Sequence, residues 1–323
     1  MHPRLDERME RTGDVTTPIP YVCIPGSPYT GSTLLGMLLD SHPACASIGA
    51  ATGLTARVDL ATYRCSCGAR FTDCGFWARI ARRTKELEHP VTIYRKDFWN
   101  THVRVSRRRS VNGLLVSSLG NSALTRIRDG LVRKVGPVAR TVAEARAATW
   151  SLARAVLEET GKQVFVDTAR YHQRPRHLAG SPMLDVKVIH LVRDPRGNVA
   201  SIMRHNDVGP WTAARRWRHY NLEAARTVRS FPSGSGMLLH YEELCEDPQA
   251  ALDRIATFLG VDPAPIEGLG SIERHVIGNS MRLRALHEIR EDRSWEDRLT
   301  GKDLRAIRRV VGRLSHRFGY RWP

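Results

Sequence analysis

The chain has 323 residues and carries 50 Lys and Arg, mostly Arg, against 33 Asp and Glu, a formal net charge of +17. Hydrophobic residues make up 41% and charged ones 26%, which supports a buried core and excludes disordered, collagenous and mini-protein classes. No run approaches the roughly 18 apolar residues of a membrane helix. Residues 1–17 are polar with no apolar signal core, so the sequence predicts a flexible tail there and a cytoplasmic protein whose six Cys are reduced. Strong positive charge suits a phosphate- or sulfate-rich partner, an acidic membrane surface touched peripherally, or nucleic acid. It follows equally from an Arg-rich composition, and no nucleic-acid-binding module is recognisable.

The first apolar run, 20–24, reads as a strand closed by Pro25 and Gly26. A turn-rich loop over 26–31 follows, then helical spacing over 32–39 that stops near His42 and Pro43. Residues 96–160 are Arg-rich and short of strand signals, with a helical run at 142–158, and read as a helical insert. It either packs over a sheet edge or caps a substrate cleft. Strand signals resume at 163–167 and at 186–192, the latter nearly continuous in β-branched residues, as in a buried parallel strand. Pro195 is placed for the first turn of a helix over 197–205, 237–241 reads as a strand, and 248–259 as a helix ended by Gly260. Four apolar strands separated by helices predict an α/β three-layer sandwich, a central parallel sheet within a single domain over 18–323.

Gly26-Ser-Pro-Tyr-Thr-Gly31-Ser32-Thr33 matches the Walker A spacing except that Ser32 replaces the lysine. Backbone N–H groups of such a loop, with a helix N-terminus behind them, still cradle an anion. Without the lysine, the loop suits a phosphate ligand other than a nucleoside triphosphate. Arg193 stands at the end of a strand, and Ser201 follows eight residues later, so a guanidinium and a hydroxyl can converge on one phosphate. The same Arg193-Asp-Pro-Arg196 run also reads as a turn with Asp194 capping the helix. Cys65, Cys67 and Cys74 lie close in sequence, and Cys45 or a histidine could complete a zinc set, but C-x-C is not the usual structural spacing. Packed reduced thiols without a metal are the preferred reading, with a disulfide as another option. The 107–109 Arg run reads as a solvated helix face or as a dock for an acidic substrate or lipid headgroups.

Together the loop and the Arg-x7-Ser pair resemble the sulfotransferases that use 3′-phosphoadenosine 5′-phosphosulfate, on a P-loop-like fold. Further stretches carry the resemblance. Cys65-Ser-Cys67-Gly68 with Asp73-Cys74-Gly75-Phe76-Trp77 is similar to a stretch of bacterial members, and Asp167-Thr168-Ala169-Arg170 to the family's D-S-S-K. Tyr241-Glu242-Glu243-Leu244, Gly278-Asn279-Ser280-Met281-Arg282 and Asp292-Arg293-Ser294-Trp295 resemble its later segments, while 96–160 is not covered. The resemblance implies that Tyr29, Thr30, Gly31, Ser32 and Thr33 hold the 5′-phosphosulfate and that Arg193 and Ser201 hold the 3′-phosphate. Tyr241, Arg293 and Trp295 would supply further nucleotide contacts, and adenosine 3′,5′-bisphosphate would be the product. No metal is required.

Two positions depart from the family pattern. Relatives place a basic residue where this chain has Tyr29, and an acidic base where it has Ala50. Arg170, at the place of the family lysine, could supply the missing cation. Alanine cannot take a proton, so the base lies elsewhere or the chain is an inactivated form. The alternatives are a kinase-like transferase on the same scaffold and a non-catalytic nucleotide- or polyanion-binding protein. The acceptor is a hydroxyl on a small molecule, glycan, lipid or peptide, and the oligomeric state is unreadable.

Overall fold

The computed structural model describes residues 17–54, 58–95, 97–106, 108–116, 122–132, 134–266, 274–283 and 289–322. Nearly all of the expected tail, together with Arg107, lies outside the described residues. In chain order, β1 (Ile19–Cys23) leads through a loop into α1 (Ser32–Ser41), β2 (Cys45–Ser47) and α2 (Gly75–Glu86). Three helices follow, α3 (Arg109–Val116), α4 (Ser122–Val132) and α5 (Gly136–Thr160), then β3 (Val164–Asp167) and the short α6 (Arg174–Leu178). β4 (Leu184–Val192), α7 (Pro195–Asn206), α8 (Pro210–Ser230) and β5 (Gly236–His240) come next. The chain closes with α9 (Tyr241–Glu246), α10 (Pro248–Leu259), α11 (Trp295–Arg298) and α12 (Gly301–Arg317).

The strands form one five-stranded sheet in the order β2-β3-β1-β4-β5, with every pair parallel. Alternation along β1 divides its side chains between two cores, as the two-residue period of a strand demands. Tyr21 packs with Ala46, Phe165, Trp77 of α2 and Leu152 of α5 on one face. Val22 packs with Val166, Ile189, Leu35 of α1 and Ile255 of α10 on the other. A third cluster joins α7, α8 and α12 through Ile202, Trp217, Ile307 and Val311. No helix among the described residues is long and apolar enough to cross a membrane.

The sequence predicts four strands and the described residues form five. β2 is three residues, Cys-Ala-Ser, too short to show an alternating pattern, and it is recruited by pairing with β3 (Cys45 opposite Val164). Tyr241, expected to end a strand, instead opens α9.

Order reverses at β1: the chain goes from it to the β2 edge, returns beside it as β3, and crosses to its other side as β4. In open α/β sheets ligands bind in the crevice that such a reversal leaves at the carboxyl ends of the strands. Two glycines set the approach of the elements around this crevice. Gly36 lets α1 lie against the chain end of β3, where a Cβ would come within 2.6 Å of Thr168 Cγ2 and 3.1 Å of Ser47 Oγ. Gly49, at φ +86°, follows β2 and bridges to Ile277, whose N–H donates to Ile48 O at 2.8 Å.

A Cβ at Gly49 would fall 1.9 Å from the Ile277 carbonyl oxygen, so the backbone pair itself would have to part. Left-handed backbone alone costs an L-residue about 1–2 kcal/mol, so Gly49→Ala should lower unfolding stability by at least that much. Denaturant titration measures it, and an unchanged midpoint would contradict the bridge.

Candidate functional site

The loop between β1 and α1 turns on two left-handed residues, Tyr29 at φ +64° and Gly31 at φ +93°. Gly31 is the N-cap of α1 and offers no side-chain cap. The first intrahelical bond is Leu35 N–H to Gly31 O, so the N–H groups of Ser32, Thr33 and Leu34 have no helical partner and face the positive end of the helix dipole. This is the arrangement that binds anions. Thr30 Oγ1 turns inward and donates to Ser27 O at 3.0 Å, and Asn198 Nδ2 of α7 donates to Pro28 O at 2.8 Å, which fastens the loop. Ser27 Oγ and Asn198 Oδ1 are buried with no hydrogen-bond partner among the described residues.

Arg193 follows β4 and is almost wholly buried beside the loop. Its Nη1 donates to Tyr29 O at 3.2 Å and its Nη2 to Asp292 O at 2.8 Å, while the guanidinium lies 4.5 Å from the centre of the Tyr241 ring. The same ring closes the far side of the loop, where a Cβ on Gly31 would come within 2.6 Å of it. Trp295 of α11 lies against Gly197 and beneath the Arg196 guanidinium, 4.6 Å away. Arg193, Tyr241, Gly31 and Trp295 therefore meet around one corner. Asp194 also caps α7, accepting from Arg196 N–H at 2.7 Å, so the capping reading holds alongside the binding one. Ser201 is buried on α7, two turns in. Arg293 is exposed and paired with Glu291 at 2.8 Å. The Tyr29 ring stacks on His205 at 4.6 Å rather than reaching over the start of α1.

The positions of Ala50 and Arg170 depend on a residue the sequence reading did not single out. Asp167, at the end of β3, is 0% exposed. Its Oδ1 accepts from Ala51 N–H and Ala169 N–H, both at 2.9 Å, and its Oδ2 accepts from Tyr21 OH at 2.8 Å and from Arg174 Nε. Arg174 goes on to donate to Thr101 O at 2.6 Å and to Tyr21 OH at 2.9 Å. Burial works against the Arg174 charge, but the Asp167 carboxylate outweighs it and holds the guanidinium protonated beyond its ordinary range. Ala50 and Arg170 thus each sit one residue from a peptide N–H anchored on the same carboxylate.

Beyond the loop lies an open cleft of about 470 Å³ whose lining includes Pro28, Arg170, Ile202, Arg215, Arg216 and His219. Arg170 thus lines the same cleft as Pro28 of the loop. His219, on α8, belongs to no motif, and only its place in the fold puts it there.

A model of the sulfotransferase family matches residues 20–265. No curated protein matches the chain. Among solved structures, the sulfotransferase domain of the curacin biosynthetic pathway is 17% identical, covers 95% of this chain and 99% of that one, and superposes with a TM-score of 0.50. The sulfotransferase domain of the Synechococcus PCC 7002 olefin synthase is 20% identical over 95% of this chain and 97% of its own, at a TM-score of 0.48. At such identity the curacin likeness speaks for the fold.

Removing one partner of a buried ion pair leaves an uncompensated charge, a loss of about 3–5 kcal/mol. Arg174→Ala should show a loss of that size in denaturant unfolding, and replacing Asp167 with Asn in the same chain should recover part of it. A midpoint indifferent to Arg174→Ala would mean that the pair does not hold the site together.

Proposed function

The chain belongs to the sulfotransferase family, and from that premise we propose that it moves a sulfuryl group from 3′-phosphoadenosine 5′-phosphosulfate to an acceptor hydroxyl. The observation that carries this reading is the uncapped start of α1 with the Arg193 guanidinium at its side. These residues fit a phosphate-rich donor: backbone N–H groups for its 5′ end, a guanidinium for its 3′-phosphate, and aromatic rings at Tyr241 and Trp295 for its base. Ser32 in place of the Walker lysine, like the family assignment, weighs against the kinase-like alternative.

When bound, the donor supplies the sulfuryl group and leaves as the 3′,5′-bisphosphate. The task of this chain is to orient and to neutralise charge. Ser32 and Thr33 hold the 5′ end with their N–H groups and hydroxyls. Arg193 and Ser201 hold the 3′-phosphate, and Arg193 must trade its Asp292 contacts for it. Arg170 faces the cleft and steadies charge at the leaving oxygen, a duty that Tyr29, stacked away on His205, does not take up. The cleft lining sets the guanidiniums of Arg170, Arg215 and Arg216 beside the apolar surface of Pro28, Ile202 and Tyr220, which suits an acceptor with both polar oxygens and an apolar body.

Proton removal is the weak point. Ala50 leaves the expected base position empty of a proton acceptor, and our reading is a chain slowed at this step. A second reading has one observation behind it: His219 lines the same cleft as Pro28 and Arg170, and its imidazole can accept the hydroxyl proton.

If Arg193 and Ser201 grip the 3′-phosphate, adenosine 3′,5′-bisphosphate should bind more tightly than 5′-AMP. One charge-assisted contact of about 1.5–3 kcal/mol corresponds to about 10–150-fold in affinity. Equal affinities by calorimetry would remove the nucleotide reading.

The base is tested by single-turnover transfer to a panel of hydroxyl acceptors. A general base contributes about 10²–10⁴-fold, so Ala50→Glu should raise the rate by at least about 10²-fold with donor affinity little changed. If His219 is the base instead, His219→Ala abolishes a rate that Ala50→Glu does not improve. Donor binding without turnover in every form would mean a non-catalytic nucleotide binder.

A further inference from the structure

Cys65, Cys67, Cys74 and His275 converge on one point, with ligand atoms that all lie within 4.8 Å of one another. The three thiols come from the turn before α2 and from the residue that caps it. The imidazole comes from a segment two hundred residues later. Cys67 Sγ and Cys74 Sγ are 3.7 Å apart, and His275 Nδ1 is 3.4 Å from Cys74 Sγ and 3.7 Å from Cys65 Sγ. A tetrahedral zinc with Zn–S of about 2.3 Å and Zn–N of about 2.0–2.1 Å sets S···S edges of about 3.75 Å and S···N edges of about 3.55 Å. The three edges given, one S···S and two S···N, lie close to these values. A disulfide would need the Cys67 and Cys74 sulfurs at about 2.05 Å, far inside the 3.7 Å found.

Support around the cluster is that of a closed structural site. Cys65 and Cys74 are buried, and Cys67 and His275 are half-buried. The Phe76 ring stacks on the His275 imidazole at 4.3 Å and 5°, which fixes its plane with Nδ1 toward the sulfurs. Ser66 Oγ donates to Arg274 O at 2.5 Å and accepts from Val276 N–H at 2.7 Å, so the residues on both sides of His275 are pinned to the turn that carries the thiols. Gly68, at φ +88°, closes that turn, with Gly68 N–H donating to Cys65 O at 3.0 Å and Cys65 N–H to Ala69 O at 2.9 Å.

We propose that Cys65, Cys67, Cys74 and His275 bind one zinc ion. Three soft thiolates and one imidazole with no position left for water suit zinc and a structural role. In the sequence, the unusual C-x-C spacing favours packed thiols, with Cys45 or a histidine as the possible fourth ligand. The fourth is His275, not Cys45. The ion ties the 65–74 turn to the strip that bridges Gly49 through Ile277, and so braces the chain one residue from Ala50. This role is independent of which donor or acceptor is used.

The test begins with the purified chain, expressed in zinc-containing medium under reducing conditions. Elemental analysis should find about one zinc per chain, and zinc-edge X-ray absorption should show three sulfurs near about 2.3 Å with one nitrogen near about 2.0–2.1 Å. Cys74→Ser and His275→Ala should lose the metal while Cys245→Ser keeps it. Should the first two variants fail to fold, the absorption spectrum of the intact chain still decides. Zinc below about 0.1 per chain, persisting after anaerobic reconstitution, would overturn the proposal. So would a shell without sulfur, or a mass showing Cys67 joined to Cys74.

Discussion

Asp167 accepts hydrogen bonds from two peptide N–H groups, a phenol and a guanidinium in a place with no solvent exposure. A carboxylate has about four acceptor positions, and here every one is used. Such a charge is tolerable inside a protein only while its partners stay, because each stands in for water that cannot reach it. The constraint reaches well past the residue itself. Ala51 and Ala169 cannot drift apart without abandoning one oxygen, so the two chain ends carrying Ala50 and Arg170 keep their separation whatever enters the cleft. Arg174 extends the same tie to Thr101, in the connection toward the α3–α5 helices.

The sheet order explains the rest of the site. β1, β4 and β5 are consecutive neighbours, and their carboxyl ends deliver the glycine loop, Arg193 and Tyr241 in a row. Residues far apart in the chain become adjacent because parallel strands all finish on the same edge. The Tyr241 ring then works on two sides at once, with Gly31 against one part of it and the Arg193 cation over its face. The peptide N–H groups at the start of α1 and the Arg193 guanidinium are thus gathered at one edge by the sheet itself.

Legibility in the sequence followed the strength of local signals. The glycine loop, the β4 run and the Pro-started α7 each carry their own pattern, and the structure places them as expected. β2 did not announce itself, since three residues leave no period to read and its existence depends on β3 lying alongside. Asp167 lay within a recognisable stretch, yet its importance comes from Tyr21 and Arg174, which only the fold brings near. The motif around Arg293 is clear in the sequence, whereas its pairing with Glu291 at the surface is visible only in the fold. His219 and His275 belong to positions that no spacing rule connects to the residues they meet.

Gly36 and Thr168 share a small volume at the seam between α1 and the end of β3. The methyl of Thr168 fills the space that a side chain at 36 would need. An alanine at position 36 and the threonine at 168 could not both keep their present places. A bulkier helix face would tilt the start of α1, and with it the direction in which its N–H groups point.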